Sequence, residues 1–233
     1  MPADDSLLSL MRSVDTPTIC NALELIAGRR LAEGFTRQPM VAANPKLPPI
    51  VGYARTAMIA ASQPSHETPE ALTQRRIAYY EYVAKEPGPA VVVIEDEDEE
   101  VGLGAFWGEV QVSIHRGLKV AGGITNGSIR DLGTMDQDFQ LLAGSVMPSH
   151  AHVHLTSIDV TVTIFGMRVK PGDLVHGDRH GAVVVPPDAI EGLARAIDLV
   201  GRRERPVIEA AHRPDFNVEA LKRAWTEMEK IVS

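Results

Sequence analysis

Five consecutive residues, Ala90-Val91-Val92-Val93-Ile94, carry no polar side chain and are mostly β-branched. Such side chains are stiff at χ1 and fit a pleated surface, so the run is predicted to be a strand. It shows no alternation with polar residues, the signature of a strand buried on both faces. A chain of 233 residues, 44% hydrophobic and 23% charged, is large enough to supply that cover, in one large domain or one domain with a helical appendage. The run empties into six acidic residues, Glu95-Asp96-Glu97-Asp98-Glu99-Glu100. Adjacent carboxylates repel unless something neutralises them, so a solvated loop is favoured over a metal cluster. One member near the strand's end could still reach a metal.

Flanking segments carry helix and turn signals. Ser6 to Val14 has helical spacing. Thr16-Pro17 reads as an N-cap with proline at the first helical position, opening a helix to about Ala27 before Gly28. Pro39 to Pro49 reads as a surface loop and Val51 to Ala61 as a strand. Thr68-Pro69-Glu70 repeats the N-cap and proline signature, with a helix to about Lys85. Tyr79, Tyr80 and Tyr82 on that helix could line a pocket, although packing in a core or interface is favoured. Phe106 to Arg116 is predicted to be a helix entered from a loop ending at Gly108. The amides of Gly108, Glu109, Val110 and Gln111 would then point outward at a helix start, which is a ready anion site or an ordinary loop-to-helix turn. An apolar strand is expected over Phe139 to Gly144.

His150, His152 and His154 alternate, which on a strand would set all three on one face. A three-histidine zinc site is conceivable. A polar interface face is favoured, because ligands at spacing two on one strand seldom converge on one metal. Val160 to Val169 is β-rich, and Leu174 to Val185 forms two short strands around Gly177-Asp178-Arg179-His180-Gly181. Asp178 there reads as a hairpin residue ahead of a catalytic one. Pro187 to Val200 is an amphipathic helix, and Arg202 to Ser233 adds one or two more.

The formal net charge of −8 argues against a general nucleic-acid binder, since phosphate contacts need clustered Lys and Arg. Cys20 is the single cysteine, so neither an internal disulfide nor a thiolate metal cluster can form. The start Met1-Pro2-Ala3-Asp4-Asp5 is acidic and unlike a signal peptide, and no apolar run approaches the ~20 residues needed to span a bilayer. A cytoplasmic protein without membrane contact is expected.

The stretch with most chemical content is Val120 to Asp131. Val120, Ala121 and Ile124 give strand character, Gly122 and Gly123 allow close backbone approach, and Asn126-Gly127 is a turn signal. Arg130 and Asp131 follow at the exit. Arg offers a rigid fork for a carboxylate or oxyanion, and Asp offers a hard oxygen to Mg²⁺ or Mn²⁺. By itself such a pair is usually a surface pair or a helix cap.

Three segments in order give the pair a context. Trp107-Gly108-Glu109 with Gly117 precedes it, and Val169-Lys170-Pro171-Gly172-Asp173-Leu174-Val175 and Gly177 to Pro186 follow it. Together these resemble the RraA-like proteins, a family containing the class II 4-hydroxy-4-methyl-2-oxoglutarate aldolases and the regulator of ribonuclease activity A. The resemblance implies an α/β fold: a swivelling β/β/α sandwich with mixed sheets and flanking helices. Residues 1–233 would form one such domain, with 202–233 a C-terminal helical extension. It further implies a divalent-metal-dependent lyase that cleaves a 4-hydroxy-2-oxo acid to pyruvate, with oxaloacetate decarboxylation as a related reaction. Asp131 would be the ligand of Mg²⁺ or Mn²⁺. Arg130 would be catalytic, beside the C2 oxygen, and Gly108, Glu109, Val110 and Gln111 would hold the pyruvyl carboxylate with Arg130. The homotrimers or hexamers of the family place the site between subunits, so Glu204 or Glu209 could come from a neighbour. Glu109 is a candidate base by position. Asn126 and Asn21 depart from aspartates found in many relatives. The alternative implied by the same resemblance is a non-catalytic protein that binds a ribonuclease, or a keto-acid binder that does no chemistry.

Overall fold

The computed structural model describes residues 3–232. Its strands are β1 (Val41–Ala42), β2 (Ile50–Ala60), β3 (Ala90–Asp96), β4 (Ala105–Trp107), β5 (Gly122–Thr125), β6 (Ser128–Ile129), β7 (Gln140–Ala143), β8 (Ser145–Val146), β9 (His154–Ile158), β10 (Val162–Ile164), β11 (Met167–Val169), β12 (Leu174–Asp178) and β13 (Gly181–Val185). Its helices are α1 (Asp5–Arg12), α2 (Thr16–Ala27), α3 (Pro69–Val83), α4 (Glu109–Gly117), α5 (Ile190–Ala211) and α6 (Val218–Lys230).

An eight-stranded mixed sheet runs β1-β7-β5-β3-β2-β12-β13, with β9 also on β2. The contacts β2 to β3, β3 to β5 and β5 to β7 are parallel, and the rest are antiparallel. β2 acts as the spine. Its first half pairs with β12 and its second half with β9, across a register shift at Met58/Ile59, and changing partners along one strand curls the sheet. Gly52 is required there, because a Cβ would lie 2.3 Å from the Pro89 carbonyl oxygen, which accepts the Tyr53 amide.

The apolar run at β3 is buried on both faces, as its composition demands. Val92 and Ile94 pack under α3 and α4 with Tyr79, Trp107 and Leu141. Val91 and Val93 face the opposite layer with Ile124, Ile164 and Met167, closed by the β10–β11 hairpin. Each such side chain contributes about 1.5–3 kcal/mol by leaving water. A third cluster joins α1, α2 and α5 to β2, β12 and β13. The architecture is thus the mixed α/β sandwich expected, with helices on its flanks and at its C-terminal end.

Several boundaries differ from the sequence expectation. Asp15, ahead of Thr16, caps α2 by accepting the Thr18 amide at 3.0 Å, and Gly28 ends the helix at φ 64°. Phe106 and Trp107 are strand, because β4 pairs in parallel with β6, and the helix starts only at Glu109. The amphipathic C-terminal helix continues to Ala211 through Pro206. Proline's fixed φ suits a helix, but Pro206 gives up its own amide bond and its ring crowds the carbonyl of residue 202; it lines the groove between α5 and α6.

The acidic run is only partly a solvated loop. Asp96 is buried at the end of β3, where burial pushes its carboxyl up, and it accepts the Gly102 and Asp98 amides. Asp98 takes the Ala61 amide at 2.6 Å, and the Ser62 amide and hydroxyl at 2.9 and 2.7 Å. Partial burial raises its pKa, but these bonds outweigh that and hold it below the usual carboxylate range. Both residues tie the loop down, while Glu99 and Glu100 are exposed.

The histidine alternation does not lie on a strand. His150 and His152 sit in a turn with Ala151 at φ 43°, and only His154 enters β9. Among the described residues no trio of His, Cys, Asp or Glu side chains is arranged to hold a metal ion.

Candidate active site

The small parallel sheet β4-β6-β8 brings two exits together. β4 pairs with β6 in the register Trp107 opposite Ile129, so Gly108 and Arg130 leave side by side. The Arg130 amide donates to the Trp107 carbonyl at 2.9 Å. One residue further, the Asp131 carboxylate Oδ2 accepts the Glu109 amide at 3.1 Å.

That bond caps α4 from another segment. Gly108 is the N-cap of α4 and has no side chain to cap with, so Asp131 takes over one of the orphan donors of the first turn. Asp131 adopts φ 62°, a left-handed conformation that aspartate tolerates better than most residues. Its carbonyl accepts the Thr134 and Met135 amides at 3.0 Å each, which holds the turn in place. Arg130 Nη1 stands 3.8 Å from Asp131 Oδ1, and both side chains are about one-third exposed, at 36% and 29%.

The first turn of α4 was expected to present the amides of Gly108, Glu109, Val110 and Gln111. The Glu109 amide is already committed to Asp131. Val110 and Gln111 follow it in the same turn, where backbone amides have no partner inside the helix. Negative charge is favoured at this end of the helix.

The structure also reveals supports that sequence reasoning missed. His115, one turn along α4, is fully buried against Trp107, with ring centroids 4.6 Å apart. Its Nδ1 lies 2.7 Å from the Gln111 carbonyl, which can only accept, so Nδ1 carries the proton. Its Nε2 then accepts from the Tyr79 hydroxyl at 2.7 Å. Burial pushes the imidazole pKa down to about 4, so the ring is neutral at physiological pH. Tyr80 donates to Gln111 Oε1 at 3.0 Å. Tyr79 and Tyr80 therefore anchor the amide-bearing turn to α3, and Tyr82 packs in the same core while its hydroxyl accepts the Thr56 amide. Nothing local in the sequence links Tyr79 to His115, which belong to different helices.

Asn126 has a structural reason to depart from aspartate. Its Oδ1 accepts the Asp96 amide at 2.8 Å and its Nδ2 donates to the Asp96 carbonyl at 2.9 Å. A carboxylate could make only the first bond. Asn21 lies on α2, where its Nδ2 donates to Glu204 Oε1 at 3.4 Å. Glu209 lines the groove between α5 and α6. Asp178 accepts the Thr16 amide at 3.0 Å and the His180 amide at 2.8 Å, so it joins the α1–α2 turn to the β12–β13 hairpin.

Asp131 can serve a divalent cation. One carboxylate oxygen carries a single amide bond, the other meets only the Arg130 guanidinium at 3.8 Å among the described residues, and the group is open enough to admit waters. Mg²⁺ keeps several waters and asks for one or two protein carboxylates, which fits this donor set.

Comparison with known proteins places the chain. A model of the RraA-like family, described as Aldolase/RraA, matches residues 16–184. A curated protein of Halalkalibacterium halodurans named "Putative 4-hydroxy-4-methyl-2-oxoglutarate aldolase" is 24% identical over 180 residues, 76% of this chain and 72% of that one. The fold is shared with an uncharacterized protein of Pseudomonas syringae at TM-score 0.73 and 23% identity, covering 97% of this chain and 96% of that one. It is shared too with Streptomyces coelicolor RraAS2, described as an unusual member of the RNase ES inhibitor RraA family, at TM-score 0.66 and 24% identity, over 91% and 99% of the two chains. No helix among the described residues is long and apolar enough to cross a membrane. The family match spans more than half of the sequence, and the chain belongs to the RraA-like family.

Proposed function

We propose that the protein is a divalent-metal-dependent lyase that cleaves a 4-hydroxy-2-oxo acid to pyruvate, and that the same site decarboxylates oxaloacetate. The observation that carries this reading is the parallel β4–β6 pairing, which sets Arg130 and Asp131 beside the amide-bearing first turn of α4. The similarity to the protein named as an aldolase supports it.

The pyruvyl carboxylate is held by the open amides of Val110 and Gln111. A divalent cation, Mg²⁺ or Mn²⁺, held by Asp131, would polarise the 2-oxo group as a Lewis acid. Cleavage breaks the C3–C4 bond. The 4-hydroxyl gives up its proton to a base, C4 becomes a carbonyl, and the bonding pair moves to C3 and the C2 oxygen as pyruvate enolate. Arg130 meets the charge growing on that oxygen. Removing one such donor costs about 10²–10³ in turnover. Protonation at C3 then yields pyruvate. Glu109, exposed on the same turn, is our candidate for the base. Decarboxylation of oxaloacetate leaves the same enolate with carbon dioxide as the other product, so Arg130 serves both reactions.

The test is pyruvate release from 4-hydroxy-4-methyl-2-oxoglutarate and from oxaloacetate, with metal and with EDTA. Release that requires metal and Arg130 supports the lyase. No release from either compound, with capture of a ribonuclease by the purified protein, would replace it with the regulator reading.

A further inference from the structure

A groove of about 380 Å³ lies between α3 and the 150–155 segment. Arg75, Arg76, Gln111, His150, His152 and His154 supply its polar wall, and Leu72, Phe106 and Leu155 supply an apolar one. No Asp or Glu is among the described residues that line it, in a chain of net charge −8. An arginine without a carboxylate partner, such as Arg76, attracts a ligand of opposite charge where apolar surface lies beside it.

The polar groups differ in how far they are committed. Arg75 is a structural clamp: its Nη1 donates to the Leu155 and Thr156 carbonyls at 3.1 and 2.9 Å, and its other nitrogen pairs with Glu67. Arg76 is exposed and has no partner among the described residues. Tyr80 occupies Gln111 Oε1, which leaves the Nε2 amide hydrogens as donors on the groove wall. The Nδ1 atoms of His150 and His154 donate to the Ala151 and His152 carbonyls at 2.7 and 2.8 Å. Each ring keeps its Nε2 outside these bonds.

We propose that this groove binds a small organic anion, an apolar body bearing a phosphate or carboxylate group, at a site separate from Arg130 and Asp131. Neither of those residues lines it, and Gln111 is the residue that the groove shares with the first turn of α4. The proposal does not depend on the lyase reading.

The test is calorimetric titration of the full chain with phenyl phosphate, benzoate and inorganic phosphate. Saturable one-to-one binding of phenyl phosphate or benzoate is expected, and the tighter of the two identifies the head group. Binding of that probe should weaken by about tenfold or more in an Arg76→Ala/His152→Ala double variant, the loss expected when the Arg76 guanidinium is removed. Both residues are exposed, so the fold should survive, as circular dichroism will report. Arg130→Ala should bind the probe as the wild type does. Absence of saturable binding by both organic probes, unchanged affinity in the double variant, or loss of binding in Arg130→Ala would each overturn the proposal. So would affinity for inorganic phosphate equal to that of the organic probes, since the apolar wall would then contribute nothing.

Discussion

The Asp131 carboxylate fills the space that a side chain on residue 108 would need: a Cβ there would lie 2.5 Å from Oδ2 and 3.2 Å from Arg130 Cγ. The backbone of residue 108 is extended, at φ −163°, so any residue could adopt it. What excludes a side chain is the Arg130-Asp131 pair itself. The glycine, the helix start and the pair form one interlocked unit, with the Glu109 amide as its pin.

Gly108→Ala should therefore push Asp131 off α4 while leaving the large sheet intact. We expect pyruvate release to fall by about 100-fold or more, a loss comparable to removing a transition-state donor. Circular dichroism should change little. Steady-state kinetics on the purified variant checks this, and wild-type turnover would mean that the carboxylate need not sit where the structure has it.

Asn126 closes a two-bond bridge to the backbone of Asp96. Asn126→Asp removes the donor and sets a second carboxylate beside a buried one whose pKa burial already raises. Denaturant unfolding at pH 7 should show a loss of about 2–4 kcal/mol, the combined cost of an unsatisfied buried group and an added like charge. The deficit should shrink as the pH falls and the pair takes up a proton. A variant as stable as the wild type would show the second bond to be immaterial.

His115 ties stability to pH. Its folded-state pKa is depressed to about 4, against about 6.5 in an unfolded chain. Between these values the unfolded state binds more protons, so stability is complete above pH 6.5 and falls as the pH drops toward 4. The full difference is about 3 kcal/mol. His176 is depressed too, by burial, and adds to the slope. In His115→Gln the fall in unfolding free energy from pH 6.5 to 4.5 should be visibly shallower than in the wild type. Equal slopes in the two proteins would remove His115 from this linkage.

Much of the frame was legible because it is local. The β-branched run at residues 90–94, the proline after Thr68, and Gly28 behind Ala27 act through neighbours in sequence. What failed depends on distant partners. Phe106 and Trp107 have helical neighbours in sequence, but β6 recruits them as a strand. Asp96 and Asp98 look like part of a solvated acidic loop, yet amides at residues 61, 62 and 102 await them. The cap on Asp15 was missed by one position, because Pro17 was taken as the first helical residue and is the second, behind an Asp that caps better than Thr. For the candidate site, the sequence supplied Arg130, Asp131 and the turn at Gly108. It could not show that Asp131 claims the Glu109 amide, nor that Tyr79 and His115 hold the helix behind it.

The most direct measurement is pyruvate release from 4-hydroxy-4-methyl-2-oxoglutarate by the wild type, Arg130→Ala and Asp131→Ala, each with Mg²⁺ and with EDTA. We expect Mg²⁺-dependent release by the wild type, a loss of about 10²–10³ in Arg130→Ala, and no metal-dependent turnover in Asp131→Ala. Release by the wild type that persists undiminished in Asp131→Ala, or that is indifferent to EDTA, would contradict the site proposed.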